Sequence, residues 1–280
     1  MEMFPMRSNL LLSLLATLAA CSAKDSAPPP APPSRPPEQV STRDVTYQAG
    51  GTTLKGLMAF PARRSSLRPA VIIVHEWWGH NEHARAQARR LAQSGYIGFA
   101  LDMYGDGKTT THPESAQAFV ARAMSDPAGM QARFEAALAV LKADVHVDTS
   151  RIAAIGYCFG GMVVLDLARS GADLDAVASF HGAIPPPAPV ASGQVKARVL
   201  ILTGGADPMV PAAQVDTFAA ALRRAGATVE VVTYPGAMHS FTNPRADSVG
   251  MKGLKYDAQV DAQSWSKLLE LLGEVFKRGG

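Results

Sequence analysis

Apolar, strand-like runs alternate with helical segments along most of the chain, and this order restricts the fold more than any other feature. AVIIV (70–74) is a continuous β-branched run, which is typical of a strand that is buried on both faces. EHARAQARRLAQS (82–94) follows it and has helical character. Strands that alternate with helices favour a mostly parallel sheet covered by helices on both faces. In such sheets, functional residues gather at the carboxyl ends of the strands.

The alternation extends over residues 40–280, which we predict to form a single α/β domain. The predicted strands are 44–48, 53–60, 70–77, 96–103, 151–157, 176–182, 197–205 and 228–236. The predicted helices are 82–94, 113–125, 128–143, 160–170, 211–226 and 256–277. The loop that follows each strand is therefore the place to look for chemistry.

Residues 1–20 have the layout of a secretory signal peptide. Arg7 precedes a short apolar run, and small residues precede Cys21. The stretch Leu18-Ala19-Ala20-Cys21 resembles a bacterial lipobox, in which the cysteine is lipidated and becomes the mature N-terminus. We therefore expect an exported lipoprotein, periplasmic or attached to the outer membrane, that meets the membrane only through the lipid on Cys21. An ordinary signal peptide that happens to contain a cysteine is the alternative.

Residues 21–39 form a tether rich in proline and alanine, with seven of the chain's 20 prolines. This composition does not pack a core and favours an extended, semi-rigid segment. The formal net charge of the chain is only +3, and there is no basic run, so the sequence does not indicate a nucleic-acid partner. The sequence also does not indicate an oligomeric state.

The stretch HEWWGH (75–80) resembles the zinc-protease motif H-E-x-x-H with one residue too many. That motif needs two histidines four residues apart on one face of a helix. His75 and His80 are five apart, about 500° around a helix, so their side chains would diverge. The stretch also follows a predicted strand, which leaves Glu76 at a strand end and excludes a zinc site of this type.

Cys158 lies between a predicted strand and a predicted helix, within Gly156-Tyr157-Cys158-Phe159-Gly160. This pattern is the G-x-S-x-G nucleophile elbow with cysteine in place of serine. The start of a helix favours a thiolate. The chain has two cysteines, so lipidation of Cys21 would leave Cys158 as a lone thiol in an exported protein. A small buried cysteine with a packing role is the alternative.

A thiol nucleophile needs a base and a group that orients the base. In α/β-hydrolases the order along the chain is nucleophile, acid, histidine. Asp207 follows the predicted strand 197–205, and His239 follows the last predicted strand, so both fit the order. Asp102 and His181 also end strands but do not fit it, and we expect them to be pocket or structural residues.

GYCFGG (156–161), GGADPMVP (204–211), PGAMHSF (235–241) and HEWWG (75–79) together resemble the dienelactone hydrolase (carboxymethylenebutenolidase) family, over most of residues 50–275. The resemblance implies a single α/β-hydrolase domain with a triad of Cys158, His239 and Asp207 that needs no metal or cofactor. It also implies that Glu76 takes part in activating the thiol when substrate binds. The backbone N–H groups of Trp77 and Phe159 would form the oxyanion hole.

The resemblance further implies hydrolysis of a small ester or lactone through a thioester. Family members that act on dienelactone bind its carboxylate with two arginines, whose positions fall near Asp106 and at Asn243 here. Lys108, Arg122 or Arg245 could substitute, although lysine does not bind a carboxylate in the bidentate manner of arginine. We therefore predict weak activity on dienelactone and a preference for other small esters or lactones.

Three alternatives stay open from the sequence. The protein could be a general carboxylesterase or thioesterase on the same fold. It could instead be a non-catalytic lipoprotein that binds a ligand in its pocket. Glu76 could be a buried carboxylate with a purely structural role, satisfied by an arginine or a backbone N–H.

Overall fold

The computed structural model describes residues 1–2, 39–63 and 66–277, and every structural statement here concerns those residues. The strands are β1 (Val40–Ala49), β2 (Thr52–Pro61), β3 (Arg68–Val74), β4 (Ile97–Ala100), β5 (Val147–Tyr157), β6 (Ala176–Phe180), β7 (Arg198–Gly204) and β8 (Val229–Tyr234). The α-helices are α1 (Glu82–Gln93), α2 (Pro113–Met124), α3 (Pro127–Lys142), α4 (Phe159–Arg169), α5 (Ala212–Arg224) and α6 (Ala258–Val275), and a short 3₁₀ helix spans Ala246–Val249.

The described strands form one eight-stranded sheet in the order β1-β2-β4-β3-β5-β6-β7-β8. β1 and β2 pair in antiparallel fashion, as do β2 and β4. The other neighbours, from β4 through β3 to β8, all pair in parallel. The mostly parallel α/β sheet predicted from the sequence is thereby confirmed. The carboxyl ends of β3, β5, β6, β7 and β8 lie side by side at one edge.

Two apolar clusters pack on the faces of this sheet, and β3 contributes to both by alternation. Ile72 belongs to the cluster that α3, α4 and α5 cover. Ile73, its neighbour, belongs to the cluster that α1 and α6 cover. Both side chains are fully buried, and each burial stabilises the fold by about 1.5–3 kcal/mol. The continuous apolar run of β3 therefore follows from its central position between two helical layers.

Polar side chains cap several of the helices. Asn81 accepts hydrogen bonds from two backbone N–H groups in the first turn of α1, and Asp257 does the same for α6. Asp126 accepts from Gly129 N at the start of α3, where Pro127 is the first helical residue. Such caps satisfy N–H groups that have no partner within the helix, so they determine where each helix begins.

The predicted strand 70–77 is shorter in the structure, and β3 ends at Val74. Val74 is the last residue of β3 that pairs with β5, opposite Gly156. Beyond it, His75 O accepts from Gly160 N at 3.1 Å, and Glu76 O accepts from Gly79 N at 3.2 Å. The backbone therefore leaves the sheet to bond with the first turn of α4 and with itself. Glu76 and Trp77 consequently lie on a loop.

The predicted signal peptide, Cys21 and nearly all of the predicted tether lie outside the described residues. The compact unit spans Pro37–Gly280, and β1 begins within it at Val40. In the described part of the chain, no helix combines the length and the apolar character needed to cross a bilayer.

Candidate active site

Cys158 lies on a sharp turn between β5 and α4, as the elbow motif predicts. Its φ is +52° and its ψ is −112°, which is a rare backbone conformation for a residue with a side chain. A Cβ at Gly156 would lie 2.0 Å from Gly160 O, and a Cβ at Gly160 would lie 2.2 Å from Val74 O. Both glycines are thus required by close backbone contacts. The Cys158 side chain remains partly exposed, and the residue is a free cysteine.

Asp207 and His239 meet, although 32 residues separate them. Oδ2 of Asp207 lies 2.8 Å from Nδ1 of His239, and both side chains are buried. Because a carboxylate only accepts hydrogen bonds, Nδ1 carries the proton and Nε2 is turned to the other side. Oδ1 of Asp207 accepts from Met209 N at 2.8 Å, which fixes the carboxylate in the loop after β7.

The imidazole of His239 also interacts with Cys158. Burial favours its neutral form, but the negative charges of Cys158 and Asp207 outweigh burial and raise the pKa of His239 to about 10. Nε2 of His239 is buried, and the thiol lies outside the geometry of a regular hydrogen bond to it. The structure therefore brings His239 together with Asp207 and places Cys158 near the same ring.

The backbone of His239 is held on both sides by the segment before α6. His239 N donates to Gly253 O at 3.0 Å, and Lys255 N donates to His239 O at 3.0 Å. These two bonds form a short bridge between His239 and Leu254. The long loop after β8 is thus fixed at the residue that carries the imidazole.

The N–H groups of Trp77 and Phe159 form the predicted oxyanion hole. Among the described residues neither N–H donates a hydrogen bond, whereas Cys158 N donates to Phe180 O at 3.0 Å. The bond from Gly160 N to His75 O ties the start of α4 to the chain just before Trp77. The predicted oxyanion hole therefore has two free donors on segments that are bonded together, and its role stays a prediction.

Glu76 is buried at the end of β3, with 1% of its surface exposed. Its Oε1 accepts from Ser240 Oγ at 3.0 Å, and its Oε2 accepts from Asn243 Nδ2 at 2.5 Å. Nδ1 of His83 lies 3.7 Å from Oε2. Both carboxylate oxygens thus bond to side chains that follow His239 closely in sequence. These partners were not predicted from the sequence. No local pattern links Ser240 or Asn243 to Glu76, and His83 belongs to α1.

His75 and His80 have separate structural roles. Nδ1 of His75 donates to Glu76 O at 2.6 Å, and its Nε2 accepts from Met103 N at 3.2 Å. His80 uses its two ring nitrogens on Leu101 O and on the guanidinium of Arg85. In the described part of the chain, no group of three or more histidine, cysteine or acidic side chains could hold a metal ion.

Asp102 organises the loop after β4. It is fully buried, and its carboxylate accepts from the backbone N–H groups of Lys55, Tyr104, Gly105 and Gly107 at 2.7–3.1 Å. This is the structural role that the sequence suggested. The hydroxyl of Tyr104 in this loop donates to Trp77 O at 3.1 Å, so the loop also supports the segment after β3.

His181 lies beside the triad. It follows β6 with a φ of +40°, and it is fully buried. Its ring meets that of His239 edge-on with 5.2 Å between centroids, and its Nε2 lies 2.8 Å from Thr242 Oγ1. Burial and the neighbouring imidazoles hold the pKa of His181 well below its ordinary value, so it is neutral. This fits the expectation of a pocket or structural residue.

The basic side chains that could replace the missing arginines are exposed. Asp106 and Lys108 are both exposed and lie 3.5 Å apart. Arg122 and Arg245 are exposed. Asn243 is buried, and its amide is bonded to Glu76. The described residues thus offer no cation for a substrate carboxylate at either of the two positions.

A cavity of about 770 Å³ lies between α3, α4 and the segment 185–188. Its lining is mostly apolar and includes Phe134, Leu138, Met162 and Leu167. None of the predicted catalytic residues lines it. The candidate catalytic residues therefore lie at the strand ends and outside the lining of this cavity.

Comparisons with known proteins agree with the fold. The sequence pattern of the dienelactone hydrolase family matches residues 54–276. A Methylorubrum extorquens protein named "Putative carboxymethylenebutenolidase" is 34% identical over 211 residues, which are 71% of this chain and 70% of that protein. The solved structure of m3DLH is 38% identical, with a TM-score of 0.81 over 85% of this chain and 99% of that one.

A second solved structure is that of a dienelactone hydrolase-like promiscuous phosphotriesterase from metagenomic libraries. It is 37% identical, with a TM-score of 0.80 over 84% of this chain and 98% of that one. Fold and sequence agree in these comparisons. The chain is therefore a hydrolase and belongs to the dienelactone hydrolase family.

Proposed function

We propose that the protein hydrolyses small, uncharged carboxylic esters or lactones through a thioester on Cys158, with His239 as base and Asp207 as the group that orients it. The observation that carries this proposal is the buried bond of 2.8 Å between Asp207 and His239, whose imidazole interacts with the thiol of Cys158. A nucleophile, a base and a group that orients the base are the parts that nucleophilic catalysis requires, and this bond supports that assignment.

The reaction has two halves. The thiolate of Cys158 attacks the carbonyl carbon, and the carbonyl oxygen becomes an oxyanion that the N–H groups of Trp77 and Phe159 stabilise. Each such donor contributes about 2.7–4 kcal/mol to the transition state. The intermediate collapses to a thioester, and the leaving alkoxide takes a proton from the imidazolium of His239. His239 then removes a proton from water, which attacks the thioester and releases the acid and the thiolate.

The surroundings of the site support an uncharged substrate. Asn243 bonds to Glu76, and the exposed Asp106 carries a negative charge. A carboxylated lactone would therefore meet neither of the two arginines that bind it in relatives. Esters and lactones without a carboxylate need no such partner.

Phosphotriester hydrolysis is a second candidate activity. It is supported by the relative that is called a promiscuous phosphotriesterase and shares 37% of its residues with this chain. A phosphotriester is also uncharged, and its phosphoryl oxygen would use the same two N–H donors. Turnover of a p-nitrophenyl phosphotriester that disappears in the Cys158→Ala variant would support this activity, and turnover that survives in the variant would exclude it at this site.

Export and lipidation remain part of the proposal. Cys21 follows an apolar run and small residues, as a lipidated cysteine does. Labelling of growing bacterial cells with a clickable palmitate analogue, with Cys21→Ala as the control, tests it. Label on the wild type only would support a lipid anchor, and label on neither would contradict it.

The enzymatic proposal is tested with p-nitrophenyl acetate and residues 40–280. We expect hydrolysis by the wild type, a mass increase of one acetyl group on Cys158 in rapidly quenched samples, and loss of both in Cys158→Ala and after iodoacetamide treatment. Alanine suits this test because it leaves the backbone turn without a new clash. Hydrolysis that survives in Cys158→Ala would overturn the proposal. A thiol that also resists alkylation would favour a non-catalytic binding protein.

A further inference from the structure

Glu76 connects the end of β3 to the segment that carries the proposed catalytic histidine. Residues 239–243 form this segment, which we call the histidine loop. Ser240 and Asn243 of the loop donate to the two oxygens of Glu76, at 3.0 and 2.5 Å. Ser240 and Asn243 are themselves buried, at 2% and 5% exposure. The carboxylate thus holds the loop at its second and fifth residues, within one and four positions of His239.

Two further contacts hold the middle of the loop. Nε2 of His83 in α1 lies 3.2 Å from Thr242 O, and Nε2 of His181 lies 2.8 Å from Thr242 Oγ1. Three elements that are distant in sequence therefore bond to this one loop. Its backbone requires such support, because Ser240 has a φ of +57° and a strained conformation persists only when its surroundings determine it.

The two hydrogen-bond donors to Glu76, Ser240 and Asn243, are uncharged and already in place. A buried carboxylate that accepts hydrogen bonds at both oxygens is stabilised in that position, and removing it would leave two buried donors without acceptors. No hydrogen bond between Glu76 and the Cys158 thiol is present among the described residues. The bonds of Glu76 thus point at the loop of the histidine and not at the thiol.

We propose that Glu76 is a positioning residue: through Ser240 and Asn243 it fixes the histidine loop, and thereby the reach of His239 towards Cys158, before any substrate binds. This rests on the proposed function, because it concerns the same histidine. It differs from the role that the family resemblance implies, in which Glu76 acts on the thiol when substrate arrives. It also gives Asn243 a task that does not involve the substrate.

The test exchanges the two ends of the Glu76–Asn243 bond. In Glu76→Gln the amide can turn so that its oxygen still accepts from Asn243 Nδ2 while its nitrogen donates to Ser240 Oγ, whereas in Asn243→Asp two carboxylates face each other. In the double variant E76Q/N243D the glutamine donates to the aspartate, so the bond returns with its direction reversed. The bond from Arg245 N to the Oδ1 of residue 243, now 3.0 Å, needs only an acceptor and survives the change.

We expect Asn243→Asp to lose about 10-fold or more in kcat for p-nitrophenyl acetate, because a small displacement of a catalytic group is costly, and Glu76→Gln to lose less than Asn243→Asp. KM should stay within about twofold, since neither residue binds substrate. The double variant should recover to within about threefold of wild-type kcat. Asn81→Asp is the matched control, because aspartate caps α1 as well as asparagine does, and it should change neither parameter.

Two results would overturn the proposal. Full activity in Asn243→Asp would mean that the bond is not needed. A double variant that folds, as judged by its melting temperature, but stays as inactive as Asn243→Asp would mean that the carboxylate is needed at position 76 itself, as a role at the thiol requires.

A readout without turnover separates this proposal from the proposed function. The imidazole resonances of His239 should shift in each single variant and return in the double variant. If the wild type hydrolyses no ester, the proposed function fails, and these resonances still report whether Glu76 positions the loop. Resonances that do not move in the single variants would contradict the positioning role even in an active enzyme.

Discussion

The Nδ1 atom of His239 lies 2.8 Å from Oδ2 of Asp207, in the loops that follow the two neighbouring strands β8 and β7. Both side chains are buried, so solvent does not compete for the bond. The bond selects the tautomer that leaves Nε2 facing away from Asp207. Among the charged groups near this ring, Cys158 raises the pKa of His239 most. Four predictions follow from this arrangement and from the segments that support it.

Replacing Asp207 with asparagine should lower kcat for p-nitrophenyl acetate by about 10²–10⁴-fold, because an amide no longer selects the tautomer of His239. The bond from Met209 N can remain, so the loop should keep its fold. Steady-state kinetics and a melting curve measure the two effects. Asp216→Asn, at an exposed site on α5, is the control and should change neither kcat nor the melting temperature. An Asp207→Asn enzyme with wild-type kcat would remove Asp207 from the triad.

The charge of His239 should depend on Cys158. The pKa of His239 is raised to about 10, so the ring should be an imidazolium in the wild type at pH values below that. In Cys158→Ala the negative charge at position 158 is lost, whereas burial still favours the neutral imidazole. The pKa of His239 should therefore fall, and the ring should become neutral at a lower pH. NMR of the imidazole nitrogens as a function of pH measures the change in the pKa of His239. His80, whose pKa burial lowers to about 4, should titrate alike in both proteins and serves as the internal reference. Identical titrations of His239 would contradict the coupling.

Gly160→Ala should destabilise the protein by about 1–3 kcal/mol and impair catalysis, because a Cβ would lie 2.2 Å from Val74 O and displace the elbow. Gly273→Ala, within α6, has open space around the new methyl group. It should stabilise the protein by about 0.5–1 kcal/mol and leave kcat unchanged. Urea unfolding and ester hydrolysis measure both. Equal stability changes in the two variants would show that the elbow tolerates a side chain.

The enzyme should prefer uncharged substrates. We expect kcat/KM for the methyl ester of a carboxylated lactone to exceed that for the free carboxylate by about 10-fold or more, since the described residues place no arginine where relatives bind the acid. A competition assay with both forms measures the ratio directly. Efficient turnover of the carboxylate over the neutral form would mean that a basic side chain reaches the pocket after all.

Much of the site was accessible from sequence, because its residues stand directly after buried strands. Apolar runs predict the strands, and the order Cys158, Asp207, His239 restricts which loop residues can act together. The ends of the strands were predicted less well: β3 stops at Val74, since its backbone turns to bond with Gly160 N. Such an ending depends on a partner some 85 residues further along, which local patterns do not contain.

The role of Glu76 shows where the sequence reaches its limit. The amino-acid order alone determined that a carboxylate follows β3 and that a thiol follows β5, because alternation and apolar runs are local properties. Only the tertiary structure decided that the carboxylate bonds to Ser240 and Asn243, more than 160 residues away. Hydrogen bonds between distant segments form when packing brings buried donors and acceptors within about 3 Å, and no spacing in the sequence encodes that distance.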